Sequence, residues 1–185
     1  MATRDEAWEI LNSAEELFSA EAVSTAVDQV AEKITAQLGD AHPLILCVMT
    51  GGLVFTGQLM TRLRFPADVD YLHATRYSQD NAGGSLSWRA SPWISVKDRT
   101  VLVVDDILDE GVTLAAVRDK LLAQGAKACH LAVLADKANG KNKPVKADFV
   151  ALTVPDRFVF GCGMDAYGAW RNLGAIYAIP DPVAG

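Results

Sequence analysis

Three short runs of this chain are apolar almost without interruption: PLILCV at 43–48, VLVV inside TVLVVDD at 100–106, and LAVLA inside CHLAVLA at 129–135. A strand with one wet face alternates apolar and polar side chains. A run that is apolar at every position must be covered on both faces. Helical patterns separate the runs. At 20–38, Val23, Val27, Val30, Ile34 and Leu38 recur at steps of three and four, and Gly39 ends the stripe. A helix is also expected at 5–18, another at about 53–63, and a fourth marked by Leu114, Val117 and Leu121 and closed by Gly125. Further strands are expected at 68–75, 148–154 and 175–179, with loops at NAGG (81–84) and at the basic NGKNKPVK (139–146). Strands alternating with helices imply right-handed crossovers. The expected fold class is therefore α/β: a mostly parallel twisted sheet flanked by helices.

A chain of 185 residues suits one domain rather than two. The charge-free stretch from 43 to 61 has the length of a membrane span, but Thr50, Gly51, Gly52 and Gly57 break it, so no membrane partner is expected. The net charge of −6 removes the basic face that a nucleic-acid binder needs. Cys47, Cys129 and Cys162 are odd in number and have no CxxC spacing. They read as reduced thiols of a cytoplasmic protein, and MATRDEAWE has no apolar signal segment.

In an open parallel sheet, ligands bind beyond the carboxyl ends of the strands. MTGG (49–52) follows the first buried run, and its glycines allow a backbone to approach a ligand closely. The second run is followed by Asp105, Asp106, Asp109 and Glu110, then by Gly111, Val112 and Thr113 at a helix start. Unpaired N–H groups and the positive dipole end suit a phosphate there. Acids beside a phosphate cradle call for a cation or sugar hydroxyls between them, and carboxylates bind both. The third run ends in Asp136–Lys137. The site therefore fits a sugar phosphate with Mg²⁺.

VLVVDDILDEGVT resembles the phosphoribosyl-pyrophosphate motif of the type I phosphoribosyltransferases. VMTGG is similar to that family's pyrophosphate loop, RYSQDNAGG (76–84) to its flap, and 154–179 to the base-binding hood of its hypoxanthine-guanine branch. The resemblance spans about residues 20–180. It implies a single domain with a core at about 36–150 and a hood at about 151–185 that includes the N-terminal helices. It also implies a homodimer or homotetramer acting on phosphoribosyl pyrophosphate and a purine base. Asp105 and Asp106 would hold the ribose hydroxyls, directly or through Mg²⁺. Asp109 would be the general base near purine N7. The backbone of Asp109, Glu110, Gly111, Val112 and Thr113, with the Thr113 hydroxyl, would cradle the 5′-phosphate. Thr50, Gly51 and Arg171 would contact pyrophosphate, and Asp165 would ligate a second Mg²⁺. Lys137 would donate to the purine 6-oxo group, Phe158 would stack on the ring, and Val159 and Asp165 would meet its edge through the backbone. Arg76 and Tyr77 belong to the flap, with Tyr77 closing over the site. Three positions depart from the family pattern: Glu110 stands where Thr or Ser is common, Val112 where Lys is common, and Thr50 where a charged residue is common.

VLVVDD also opens response-regulator receiver domains, but there it starts the domain, and here about a hundred residues precede it. A Walker B reading lacks its GxxxxGK[ST] partner. Two alternatives stay open: a regulator that binds nucleotides on the same fold without turnover, and a transferase for another base such as xanthine.

Overall fold

The computed structural model describes residues 1–76 and 86–180. In chain order the elements are α1 (Arg4–Ser13), β1 (Glu15–Phe18), α2 (Ala20–Leu38), β2 (Leu44–Val48), α3 (Gly52–Met60), β3 (Asp68–Arg76), β4 (Leu86–Ala90), β5 (Thr100–Leu108), α4 (Val112–Ala123), β6 (Ala128–Ala138), β7 (Phe149–Pro155), β8 (Val159–Phe160) and β9 (Ile176–Ala178).

Six strands form one sheet in the order β4-β3-β2-β5-β6-β7. The pairs β2–β3, β2–β5, β5–β6 and β6–β7 are parallel, and β4 closes one edge antiparallel to β3. All five residues of β2 are buried, as a strand covered on both faces requires. The pleat sends alternate residues to two cores. Ile45, Leu102, Val104 and Ala132 pack under α2 and α3, whose Val23, Val27, Ile34 and Phe55 are fully buried. Leu44, Leu46, Val101, Val103 and Leu131 pack with Leu114, Val117 and Leu121 of α4 on the opposite face.

A smaller antiparallel sheet, β1-β9-β8, stands apart from the main one. It corrects the expectation of a helix over 5–18. Helix α1 starts on a reciprocal Thr3–Glu6 capping box and stops at Ser13, whose hydroxyl donates back to the Glu9 and Ile10 carbonyls. The next four residues are drawn into an extended pairing, Glu15 with Ala178 and Phe18 with Ile176. Distant backbone partners thus override a local helical preference. The N-terminal segment also grips the loop before β9. The Trp170 indole N–H donates to the Ala7 carbonyl at 2.7 Å, and Trp8 stands edge-on to Trp170 with ring centres 4.9 Å apart. No helix among the described residues is long and apolar enough to cross a membrane.

Candidate active site

A cleft of about 590 Å³ lies at the carboxyl ends of β2, β3 and β5 and reaches Asp156 just after β7. Its floor is β5, which continues to Leu108, so Asp105 and Asp106 lie within the strand rather than beyond it. Thr50, Gly51, Asp105, Asp106, Asp109, Glu110, Gly111, Thr113, Asp165 and Arg171 border this cleft together, as the sequence led us to expect. Val112 does not: it is 45 % exposed at the start of α4. Gly111 turns the chain into α4 with φ of 77°, in the left-handed region that glycine tolerates.

The two strand acids are crowded. The Asp105 carboxylate accepts the Asp106 N–H at 2.9 Å, and the Asp106 carboxylate accepts the Ile107 N–H at 2.8 Å. Burial, followed by the neighbouring Asp106 charge, pushes the Asp105 carboxyl well above the usual carboxylate range. Burial also pushes Asp106 up, although hydrogen bonds and Arg171 act against it. Asp106 is packed so closely that a Cβ on Gly51 would lie 2.0 Å from its Oδ2. On the far side, a Cβ on Gly163 would lie 2.0 Å from the Gly51 carbonyl oxygen. Glycine at both positions lets the 49–52 loop slide between β5 and the segment that carries Asp165 and Arg171.

Arg171 ties that segment together. Its guanidinium donates to the Gly163 carbonyl at 2.5 Å, pairs with Asp165, and stands 3.9 Å from Asp106. Asp165 also accepts the Gly168 N–H at 2.7 Å. Among the described residues, no group of three or more His, Cys, Asp or Glu could hold a metal unaided. A hard cation nevertheless suits the Asp105–Asp106 pair, whose oxygens are costly to charge without one, provided that a ligand completes its oxygen shell.

Beside the cleft, Lys137 donates to Asp109 at 2.7 Å, and its side chain is only 13 % exposed. The Asn139 amide donates to the Asp109 carbonyl and carboxylate, both at 3.1 Å. Burial alone would raise the Asp109 carboxyl. The hydrogen bond and charge of Lys137, with Asn139 and Lys143, outweigh it and hold Asp109 below the usual carboxylate range. Lys137, Phe158 and Val159 do not border the cleft. Phe158 is 45 % exposed and stacks on Tyr167, with centres 5.4 Å apart and planes 14° from parallel. The Val159 side chain is buried in the core, which leaves only its backbone for a ligand. Arg76 is the last residue of β3. Tyr77 and the NAGG loop lie outside the described residues.

Sequence reasoning missed Tyr167, Asn139, Lys141 and Lys143. The last three come from the stretch 139–146, which has the composition of a solvated loop. Lys141 instead lines the cleft and reaches Glu110 at 3.4 Å. It brings a cation to the start of α4, beside Glu110.

The phosphoribosyl transferase domain profile matches residues 13–167. The hypoxanthine-guanine phosphoribosyltransferase of Bacillus subtilis is 30 % identical over 158 residues, covering 85 % of this chain and 88 % of the relative. The hypoxanthine-guanine-xanthine phosphoribosyltransferase of Tritrichomonas foetus is 28 % identical over 168 residues, covering 90 % and 92 %. A solved structure of a hypoxanthine-guanine-xanthine phosphoribosyltransferase superposes with a TM-score of 0.83 at 26 % identity, covering 92 % of this chain and 99 % of the other. A hypoxanthine phosphoribosyltransferase of Staphylococcus aureus shares the fold, with a TM-score of 0.87 at 22 % identity over 93 % and 95 % of the two chains.

Proposed function

The chain belongs to the phosphoribosyl transferase domain family, and from that membership we propose a purine-salvage activity. The protein transfers the 5-phosphoribosyl group from phosphoribosyl pyrophosphate to N9 of hypoxanthine or guanine, giving IMP or GMP and pyrophosphate. One observation carries the reading. The acid pair, the phosphate-ready start of α4 and Arg171 meet in one cleft, and the Asp109–Lys137 pair stands beside it.

The donor would lie with its 5′-phosphate on the 109–113 backbone, its ribose over Asp105 and Asp106, and its pyrophosphate between Thr50, Gly51 and Arg171. Mg²⁺ entering with the donor would offset the charge of the departing pyrophosphate, with Asp105, Asp106 and Asp165 as the residues to hold it. Bond breaking at C1′ should run ahead of bond making, so Arg171 serves the transition state by meeting charge that grows on the leaving group. A 6-oxopurine offers an acceptor to Lys137 and an N7 proton to Asp109. Drawing Lys137 toward the base would take a cation from Asp109 and raise its basicity when a proton must be accepted. Phe158, with Tyr167 behind it, supplies the aromatic face, and the Val159 backbone meets the edge of the ring. The division into a core and a hood, a cytoplasmic location and homo-oligomeric assembly belong to the same reading. Three free thiols support the location. Val69 and Tyr71, 45 % and 51 % exposed on one face of β3, support the assembly.

The test is a panel of bases with donor and Mg²⁺. Adenine carries a 6-amino donor that would face Lys137. Two buried donors left unpaired cost about 1–3 kcal/mol each. Adenine should therefore be used at least ~10-fold less well than hypoxanthine or guanine. Xanthine belongs in the panel because one relative's name includes it. Efficient use of adenine, or no transfer to any purine, refutes the assignment.

A further inference from the structure

Lys143 plays no part in the reading above, yet its surroundings are those of a working residue. Its side chain is 12 % exposed, and an ammonium so shielded needs every proton matched. All three are. The Nζ donates to the Leu108 carbonyl at 2.8 Å, to the Lys137 carbonyl at 2.7 Å and to the Asp136 carboxylate at 2.5 Å. The Leu108 carbonyl belongs to the peptide that leads into Asp109, and the Lys137 carbonyl is that of the base-facing lysine itself. Leu108 and Asp136 are register partners at the ends of β5 and β6. The β5–β6 ladder ends at this pair and leaves a gap between the two strand ends, where the Leu108 carbonyl takes the ammonium; the Lys137 carbonyl also accepts the Asn139 N–H at 2.9 Å. One cation closes that gap and reaches it by folding the 139–146 stretch back over the strand ends.

We propose that Lys143 is a positioning residue for base recognition: its ammonium clamps the carboxyl ends of β5 and β6 and so fixes the distance between Asp109 and Lys137. The proposal rests on the base-facing role given to Lys137. It differs from a generic stability role because all three acceptors flank the pair that reads the purine. Two of the three acceptors, on Asp136 and Lys137, lie on β6 beside the base-facing lysine, and only the Leu108 carbonyl shares a peptide with the 5′-phosphate cradle.

Lys143→Met keeps the apolar stem and removes the ammonium with all three donors. Steady-state kinetics of the full chain with phosphoribosyl pyrophosphate, Mg²⁺ and hypoxanthine should show KM for the base rising about tenfold or more, the scale of lost charged hydrogen bonds. KM for the donor should rise clearly less than KM for the base, because only one of the three bonds ends on a peptide of the cradle. In a Lys137→Met background the same change should add less than about twofold, because residues acting as one unit are not additive. Equal losses for donor and base, or full additivity in the double variant, would overturn the clamp. If Lys143→Met is insoluble, Lys143→Gln should show the same split at about threefold, reflecting partial loss of the bonds. A base KM that rises in Lys137→Met but not in Lys143→Met sinks the clamp alone. A base KM unmoved in Lys137→Met sinks the reading of Lys137 and the clamp with it.

Discussion

The proposed mechanism asks Asp109 to accept a proton, yet the hydrogen bond and charge of Lys137 hold its carboxyl low and make it a poor base. The pH profile exposes this tension. The pH dependence of kcat/KM reports groups of the free enzyme. The depressed Asp109 carboxyl stays ionised as pH falls, so its acid limb lies at low pH. Lys137→Met removes the hydrogen bond and charge that lower it and leaves the burial that raises it, so the limb should move to higher pH. A limb that stays in place would detach Asp109 from catalysis. Asp109→Asn keeps size and polarity but cannot take the proton, and kcat should fall by about 10²–10⁴-fold with little change in donor KM. Asp105 bears the opposite shift. Its folded carboxyl is raised by burial and by Asp106. The stability it contributes is therefore fully present below its unfolded value and is lost as pH rises through the folded one. At neutral pH the ligand-free protein bears that cost. Asp105→Asn keeps an acceptor for the Asp106 N–H and removes the charge. Calorimetry without ligand at neutral pH should show a higher midpoint, on a scale of about 2–4 °C per kcal/mol for a chain of this size, while donor KM rises. A lower midpoint would show that the carboxylate is already well compensated.

Among the elements, the loop after β2 shows how backbone approach shapes a site. Gly163 has φ of 105° and faces the Gly51 carbonyl, which leaves no room for a methyl group. Gly163→Ala should cost about 1–3 kcal/mol for the backbone conformation alone, and the clash should push the 49–52 loop away from Asp106. The measurable result is a lower thermal midpoint together with a raised donor KM; an alanine variant with both unchanged would contradict the close approach. The glycines of MTGG were legible as a ligand loop because strand-then-glycine is a local signal. The docking of Gly163 against them was not, since nothing near Gly163 in sequence refers to residue 51. The same distinction separates α2 from β1. The apolar stripe of α2 is periodic within itself, and all five of its marker residues are buried. Residues 15–18 carry no such pattern and are extended only because β9 lies beside them. The short strands β4 and β8 likewise take their identity from partners.

For the molecule as a whole, the sheet and the place of its cleft followed from three apolar runs, because covering both faces of a strand leaves few architectures. The charge arrangement around that cleft followed less well. Asp105, Asp106 and Asp109 sit together in sequence and in space. The cations around them arrive from β6, the stretch after it and the segment before β9: Lys137 pairs with Asp109 and Arg171 stands near Asp106, while Lys141 meets Glu110 and Lys143 meets Asp136. Composition alone made 139–146 a solvated loop, and only its fold-back makes it part of the site. The pairing of β1 with β9 has a further consequence during synthesis. Glu16 and Tyr177, hydrogen-bonded at 3.2 Å, stand 161 residues apart. At ribosomal speeds of about 5–20 residues per second, that separation is roughly 10–30 s of translation. For that time the segment that becomes β1 waits without its partner strand, while the strands of the main sheet emerge and can pair. Its sequence EELF puts two carboxylates on the waiting edge, and charge of this kind discourages pairing with a stranger. The small sheet is thus completed only after the strands of the main sheet have been made, and its earliest strand is guarded by charge until then.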